Sequence, residues 1–166
     1  MPDPSALTVA RAALPPPLPG KVRPLRDDDV KLFLLDLEHR HGGPDHWTSR
    51  RFDHLHRRNH GGLVFVDRDR SVVGHLTYVT SSRTVLVTRL LVRPDRRRRG
   101  VAYALLGRLF DLAAQRPVFV RLGERQVDLQ VFFRGWGVAD RGAYLAEPSV
   151  RDGDRDVILR LVRQPL

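Results

Sequence analysis

The segment with the clearest chemistry is LLVRPDRRRRGVAYALL, at residues 90–106. An apolar run ends at Val92, Pro94 interrupts it, a basic loop follows, and Gly100 precedes a helical pattern. The start of a helix leaves backbone N–H groups unpaired, with the positive end of the helix dipole behind them, and glycine lets a ligand come close. Arginines on the rim would add charge-assisted hydrogen bonds. The segment therefore predicts a site for phosphate, in particular a diphosphate.

The charge balance agrees with an anionic ligand. There are 29 Lys+Arg against 19 Asp+Glu, a net charge of +10 with a pI near 11.3. Only Lys21 and Lys31 are lysines, so nearly all the positive charge is guanidinium, which binds phosphate and carboxylate in a bidentate manner. An arginine-rich coding bias would give the same composition. Nucleic-acid binding is a further alternative, although aromatic residues are only 7% and no stacking platform is evident.

Several classes of protein are excluded by composition. The chain of 166 residues has no cysteine, which excludes disulfides, a thiolate nucleophile and a cysteine-type zinc site. No apolar stretch approaches the roughly 18 residues that a membrane-spanning helix needs. With 42% hydrophobic and 29% charged residues, the composition is typical of a globular protein, and we expect it in the cytoplasm.

Histidines are concentrated in one region, without a metal-ligand pattern. Six of the seven lie between residues 39 and 60, together with Trp47 and Phe52. A metal site needs three or four converging ligands, and this scatter shows no recognised spacing, so no metal is predicted. The plain alternative is an exposed polar helix. The six are His39, His41, His46, His54, His56 and His60.

Hydrophobic periodicity predicts the elements that position the Gly100 loop. Residues 1–20 contain the Pro15-Pro16-Pro17 cluster and predict a disordered, proline-rich tail, which leaves one domain over residues 21–166. The domain is predicted to be of the α/β class with a mixed sheet, in the order β-α-α-β-β-β-α-β-α-β-β. Six of the seven strands are placed, at 21–25, 63–66, 72–80, 84–92, 117–122 and 156–162. The four helices are predicted to start at Asp27, to run after Gly42-Gly43-Pro44 up to Gly61-Gly62, and to lie at 101–113 and 129–136.

Two features of this pattern bear on the site. The runs 63–66, 72–80 and 84–92 are joined by short polar segments, which predicts an antiparallel meander. The third run, TVLVTRLLV, is apolar at both odd and even positions, as in a strand covered on both faces. We therefore expect the strand before the Gly100 loop to be central in the sheet.

The segment around Gly100 resembles the cofactor motif of the GCN5-related N-acetyltransferase family. That motif, Gln/Arg-x-x-Gly-x-Gly/Ala between a strand and a helix, is similar to Arg97-Arg98-Arg99-Gly100-Val101-Ala102. The lead-in Val92-Arg93-Pro94 and the later Leu105-Leu106 also match, and the element order agrees from about residue 21 to the end. The alternative is an arginine-rich turn that caps an ordinary helix.

The resemblance implies that acetyl-CoA is the cosubstrate and that an acceptor amine attacks its thioester directly. It places the pantetheine arm on the backbone near Leu91 and Val92, with the Val92 N–H facing the thioester carbonyl. The amides from Arg98 to Ala102 would hold the diphosphate, with Tyr103 at its edge. The cofactor-binding residues implied in this way are Leu91, Val92, Arg97, Arg98, Arg99, Gly100, Val101, Ala102, Tyr103 and Gln126.

A second family signature is only partly present. The motif Asn-x-x-Ala-x-x-Phe-Tyr-x-x-x-Gly-Phe aligns with residues 126–138, where Gln126 replaces the Asn, and Leu129 and Val138 replace the Ala and the final Phe. Phe133 stands in place of the tyrosine that protonates the departing thiolate in many relatives. Catalytic competence is therefore left open. The plain alternative for Phe133 is a core-facing aromatic.

No general base is identified by spacing. Relatives often carry an acid three residues before the Val-x-Pro, where this chain has Arg89. His75 and Glu38 are weak candidates for the catalytic base. A histidine in an apolar strand is usually a hydrogen-bonded core residue, which is the alternative for His75. The alternative for Glu38 is a solvent-exposed position on a helix.

Three functions follow from these observations. The first is an acetyl-CoA-dependent N-acetyltransferase acting on a primary amine of a small molecule or a protein. The second is a module with the fold of the GCN5-related N-acetyltransferase (GNAT) family that binds coenzyme A in a regulatory role. The third, less favoured, is a basic nucleic-acid-binding domain. The acids at 27–29, with Asp36 and Glu38, could attract a cationic acceptor or simply begin a helix. No membrane partner is expected, and a homodimer is left open.

Overall fold

The computed structural model describes residues 16–34, 36–37, 40, 57–123, 126–145 and 156–163. Its strands are β1 (Gly20–Pro24), β2 (His60–Asp67), β3 (Val72–Thr80), β4 (Val85–Val92), β5 (Val118–Gly123), β6 (Val138–Leu145) and β7 (Asp156–Leu161). Its helices are α1 (Asp27–Asp29, continued by a π-helical turn at Val30–Leu34), α2 (Val101–Ala113) and α3 (Val127–Trp136), with a 3₁₀ turn at Pro94–Arg96.

The described strands form one mixed sheet in the order β1-β2-β3-β4-β5-β7-β6. Every neighbouring pair is antiparallel except β4 and β5, which run parallel. The predicted meander β2-β3-β4 is confirmed, and β4 is the fourth of the seven strands, as its two-sided apolar pattern indicated. The mixed α/β fold is likewise confirmed.

The predicted end of the second helix is wrong at Gly61-Gly62. Both glycines lie inside β2, where Gly61 pairs with Tyr78 and Gly62 with Thr77. A Cβ on Gly61 would overlap the ring of Tyr78, so the absence of a side chain there leaves room for the ring. The body of that predicted helix lies outside the described residues.

Two hydrophobic cores lie on opposite faces of the sheet. The larger packs the sheet against α2 and α3, and it includes Leu76, Leu90, Leu105 and Phe133. The smaller lies beneath α1 and its π-helical turn, with Leu34, Val64 and Leu91 among its members. Neighbouring residues of β4, Leu90 and Leu91, therefore belong to different cores, which is why this strand carries apolar residues at both odd and even positions.

A buried ion pair fixes α1 to β1. The Arg23 guanidinium donates two hydrogen bonds to the Asp29 carboxylate, at 2.6 and 2.7 Å, and the Arg26 backbone N–H donates to the same carboxylate at 2.7 Å. Burial alone would raise the pKa of Asp29, but these hydrogen bonds outweigh it and hold the pKa below its ordinary value. Asp29 is thus a structural helix-start acid, and its carboxylate is not part of an exposed acidic patch.

The chain before β1 contacts the Gly100 loop. The Leu18 N–H donates to the Arg99 carbonyl at 2.9 Å, and Nε of Arg99 donates to the Pro16 carbonyl at 3.4 Å. Residues 16–20, which the sequence assigned to the tail, therefore lie against the domain, and β1 begins at Gly20. The remaining tail, residues 1–15, lies outside the described residues. Within the described part of the chain, no helix has the length and apolar character to cross a membrane.

Candidate functional site

The central feature of the site is a bulge in β4 at Thr88. Thr77 of β3 pairs with Arg89, whereas the next residue, Tyr78, pairs with Val87, so Thr88 is the extra residue on β4. The Thr77 and Thr88 hydroxyls lie 2.9 Å apart and hydrogen-bond to each other, which holds the bulge in place. A bulge bends its strand and ends regular pairing, and bulges often occur next to active sites.

Beyond the bulge, β4 and β5 separate. Their parallel pairing covers only Val85 to Val87 on β4, opposite Val118 to Val120 on β5. From Arg121 to Gly123, β5 continues to pair with β7 on its other side. A cleft opens between the two diverging strands, lined by Val87, Thr88, Arg89, Leu90, Val120, Arg121, Leu122, Gln126, Leu129 and Phe133.

The backbone of β4 presents hydrogen-bonding groups to this cleft. Just after β4, the Arg93 N–H donates to the Val73 carbonyl of β3 at 2.8 Å. Because successive residues of a strand point their peptide groups to opposite edges, the Leu91 N–H also points to β3, and those of Leu90 and Val92 point to the cleft. Of the two residues assigned to the pantetheine arm, Val92 therefore has its N–H on the cleft side of β4, and Leu91 has its N–H on the β3 side.

Past the cleft, the end of β4 leads through a 3₁₀ turn to the Gly100 loop. After the 3₁₀ turn, Gly100 has the left-handed backbone conformation, with φ +79°, and is the N-cap of α2. The first intrahelical bond runs from the Ala104 N–H to the Gly100 carbonyl, so the N–H groups of the first turn, from Val101 to Tyr103, point out of the helix end. A Cβ placed on Gly100 would meet nothing within 4 Å, so the space in front of this helix end is open.

A second glycine sets the height of α2 above the sheet. A Cβ on Gly74 of β3 would lie 2.8 Å from Cγ1 of Val101 and 3.2 Å from the Leu91 carbonyl oxygen. Only glycine therefore lets the first residue of α2 rest on β3 beside the end of β4. This contact places the open helix end beside the end of β4.

The predicted cofactor-binding arginines have individual roles in the loop. Nε of Arg97 donates to the Val92 carbonyl at 3.1 Å, which ties the loop to the end of β4. Arg98 has φ +59°, a left-handed conformation that is uncommon outside glycine, and Arg99 contacts the segment before β1. Arg93 forms a two-bond ion pair with Asp95, whose pKa is lowered by those hydrogen bonds. The loop is thus held by its own side chains.

Gln126 closes the far side of the cleft. Its side-chain oxygen accepts from the Gly123 N–H at 2.9 Å, at the point where β5 ends and α3 is about to begin. Gln130 supports the same turn, because its Nε2 donates to the Gly123 carbonyl at 3.1 Å. Gln126 is therefore a wall of the cleft and also the residue that holds the β5-to-α3 turn.

The aromatic residues divide between the cleft and the surface beside it. Phe133 lines the cleft and is fully buried in the larger core, as the plain interpretation of its position predicted. Tyr103, next to the open helix end, is 45% exposed and packs on Trp136 and Phe132, at ring-centroid distances of 4.9 and 5.9 Å. The phenol of Tyr103 is thus at the rim, and no phenol occupies the position of Phe133.

The two candidate bases are not brought together. His75 is fully buried and pairs with Val64 and Leu91, both members of the smaller core, so it lies on the sheet face beneath α1. It does not line the cleft. Glu38 lies outside the described residues, as do His39, His41, His46, His54 and His56. His60 is at the start of β2, with Nδ1 2.9 Å from Oδ1 of Asn59.

Thr77, Thr88 and Arg121 are parts of the site that sequence reasoning missed. The two threonines belong to no recognisable sequence motif. They lie side by side only because the bulge shifts the pairing of β3 with β4. Arg121 lies between the apolar residues Val120 and Leu122, so the sequence alone could have placed it on the polar face of a strand. The sequence could not have shown that Arg121 lines the cleft. Arg89, noted only as a departure from an acidic position, also lines the cleft.

Together, the fold and the site define a mixed α/β domain with an open strand edge that leads to an open, glycine-capped helix end. Comparison with protein families gives this class a name. A model of the Acetyltransferase (GNAT) family matches residues 30–131, more than half of the chain, and the protein belongs to this family. A comparison with curated proteins gave no significant match.

Solved structures of N-acetyltransferases share the fold. The ribosomal-protein-S18-alanine N-acetyltransferase from Escherichia coli is similar with a TM-score of 0.69 at 15% identity, covering 86% of this chain and 92% of that one. Ard1 from Thermoplasma volcanium gives a TM-score of 0.70 at 16% identity, covering 87% and 99%. The spermidine/spermine N-acetyltransferase SpeG from Vibrio cholerae gives 0.62 at 12% identity, covering 86% and 92%.

Proposed function

We propose that this protein is an acetyl-CoA-dependent N-acetyltransferase that transfers the acetyl group to a primary amine by direct attack. The observation that carries the proposal is the open edge of β4, which runs from the Thr88 bulge to the Gly100 loop. A strand edge with no partner strand can bind an extended amide chain by β-type hydrogen bonds. Pantetheine has such amides, and a diphosphate follows them.

The residues of this chain would divide the work along the ligand. The peptide groups of Leu90 and Val92 would bind the pantetheine arm. The first-turn N–H groups of α2, from Val101 to Tyr103, would hold the diphosphate in front of Gly100, where the space is open. Arg98 and Arg99 would add positive charge at the rim. The open helix end and the glycine fit an anionic group of this size.

The acyl transfer needs few groups from the protein. A C–N bond forms while the C–S bond breaks, and the proton lost by the amine and the departing thiolate together make the free thiol. The Val92 N–H, directed into the cleft, would stabilise charge that develops on the carbonyl oxygen. A thiol with a pKa of about 8.5 is able to leave as the thiolate, so transfer does not require an acid at Phe133.

The first experiment is thermal unfolding with acetyl-CoA, coenzyme A, ATP and a short DNA duplex. A ligand present at about 100 times its Kd adds roughly 2.7 kcal/mol of stability, and each kcal/mol raises the Tm of a domain of this size by about 2–4 °C. We expect a rise with acetyl-CoA and coenzyme A, and a smaller one or none with ATP. Stabilisation by DNA alone would contradict the proposal and assign the arginines to nucleic-acid binding.

The second experiment is acetyl transfer to a panel of amines, followed by thiol release and mass spectrometry of the acceptor. Neighbours in fold act, by their names, on a ribosomal-protein alanine or on spermidine and spermine, so the panel contains peptides with a free N-terminus and small amines. We expect one class of acceptor to give acetylated product, with release of an equal amount of thiol.

A regulatory module that binds coenzyme A is the second candidate. Phe133 and Arg89 favour it, because they stand where relatives carry a tyrosine and an acid. Under this alternative, acetyl-CoA raises the Tm but no amine of the panel is acetylated. The cytoplasm remains our proposed location for either function.

A further inference from the structure

One face of the sheet is basic where it borders the cleft. On β5, Val118, Val120 and Leu122 are buried in the larger core, so Arg121 projects from the opposite face. On β4, Leu90 belongs to the larger core and its neighbour Arg89 lies on the same face as Arg121. Both arginines line the cleft between the diverging strands.

The adjacent strand extends this basic face. On β7, Arg160 pairs with Phe119 and lies between Leu159 and Leu161, which are both buried in the larger core. Arg160 therefore shares the face of Arg121. Of the described residues that line the cleft, none is acidic. This face lies opposite α2 and α3 and is the face on which α1 packs.

Two guanidinium groups beside a thioester site have two chemical consequences. Each carries five N–H donors in a planar fork, so it can bind a ligand carboxylate in addition to the contacts it already makes within the protein. Their positive charge also lowers the pKa of a nearby amine, because like charges disfavour the ammonium form. The neutral amine is the nucleophile, so this charge would perform part of the task of a general base.

We propose that Arg89 and Arg121 select an acceptor whose primary amine lies within a few bonds of a carboxylate; this rests on the proposed function. The carboxylate would be bound by the two guanidinium groups, and the amine would point at the open edge of β4. An acceptor that carries only positive charges, such as spermidine, would be repelled. The carboxylate can belong to a free amino acid or to an acidic residue at the N-terminus of a peptide.

The test measures binding as well as turnover, so that it gives a result even for an inactive protein. Calorimetry of the coenzyme A complex with N-acetylalanine, N-acetylalaninamide and the α-amide of N-acetylaspartate compares a main-chain carboxylate, no carboxylate and a side-chain carboxylate. We expect at least one of the two acids to bind about tenfold or more tightly than the neutral amide, as charge-assisted hydrogen bonds imply. The acid that binds more tightly identifies the source of the carboxylate.

Variants assign the preference to the two arginines. Arg89→Gln and Arg121→Gln should each reduce the preference for the acid about tenfold, while the rise in Tm with acetyl-CoA stays. Arg108→Gln is the matched control, because Arg108 is exposed on α2 and does not line the cleft. The Arg108→Gln variant should prefer the acid over the amide by the same factor as the unmodified protein.

The outcomes separate this proposal from the proposed function. Equal binding of the acids and the amide, or a preference that survives both arginine substitutions, would overturn the selection by Arg89 and Arg121. In that case acetyl transfer to a neutral or cationic amine would leave the acetyltransferase itself intact. Conversely, selective binding of an acid without any transfer would support the selection and contradict the enzymatic function.

Discussion

The two halves of the proposed site are built from different parts of the chain. At the Gly100 loop, the groups available to a ligand are main-chain N–H groups, exposed by a glycine in the left-handed conformation and by the end of a helix. Between β4 and β5, the cleft is lined by side chains, among them Thr88, Arg89 and Arg121. A main-chain site tolerates most changes of side chain, whereas a side-chain site can be altered by one substitution. The first half is therefore suited to a constant ligand and the second to a variable one.

The largest effect should come from blocking the main-chain half. Gly100→Glu places a side chain and a negative charge in the open space before α2, and it strains a backbone at φ +79°. We expect the rise in Tm with acetyl-CoA to disappear. Gly135→Glu is the matched control, since a Cβ on Gly135 of α3 also meets nothing within 4 Å. Gly135 does not have the positive φ of Gly100, so its backbone accepts a side chain without strain. Unaltered affinity in Gly100→Glu would remove the proposed diphosphate site.

The second prediction concerns the floor of the side-chain half. Phe133→Tyr supplies a phenol where relatives carry one, and general acid catalysis is typically worth about 10²- to 10⁴-fold. We expect kcat to rise by about 100-fold, with little change in KM for acetyl-CoA. Phe132→Tyr is the control, because Phe132 packs on Tyr103 and does not line the cleft. An unchanged kcat would show that departure of the thiolate does not limit the reaction.

The third prediction tests what holds α1 on its face of the sheet. Asp29→Asn breaks the buried ion pair between α1 and β1 and should lower the free energy of unfolding at pH 7 by about 3 kcal/mol. The folded-state pKa of Asp29 is depressed, so this stability is present above the ordinary value of 3.8 and is lost as the pH falls through the folded-state pKa. Urea unfolding should therefore show the difference between the two proteins shrinking below about pH 4.

Asp36→Asn is the control for that measurement. Its carboxylate pairs with Arg40 at 2.8 Å, but both side chains are more than half exposed. Exposed pairs are worth about 0–1 kcal/mol, so this variant should remain close to the unmodified protein. If Asp29→Asn were equally mild, the ion pair would not be what holds α1 on the sheet.

The smallest effect should come from the hydroxyl pair at the bulge. Thr77→Val removes the hydrogen bond to Thr88 while keeping the shape of the side chain, at a cost of about 1 kcal/mol. We expect KM for acetyl-CoA to rise a few-fold because the open edge of β4 is less well held. Thr77→Ser keeps the hydroxyl and should therefore have the stability and the KM of the unmodified protein. If Thr77→Ser were as destabilised as Thr77→Val, the packing of the threonine methyl group, and not the hydroxyl hydrogen bond, would be the cause.

The same division explains how much of the site could be predicted. The loop and the start of α2 at Gly100 were predicted, because a glycine, a proline stop and an arginine run are local signals with local causes. The central place of β4 followed from its two-sided apolar pattern, whereas its parallel pairing with β5 was not predicted. Arg121 and the Thr77–Thr88 pair were not predicted, since their positions depend on which residues of separate strands stand opposite one another.

The sequence by itself determined the element types, the central strand and the glycine-capped helix, because periodicity and backbone preference act over a few residues. It did not determine that Gly61 and Gly62 extend a strand, since the side chains that a Cβ would meet there, Tyr78 for Gly61 and Leu25 for Gly62, are distant in the sequence. Only the tertiary structure decided the cleft. A one-residue bulge at Thr88 changes which peptide groups face β5 and which side chains share a face, and a shift of one residue between strands leaves no mark in either strand alone.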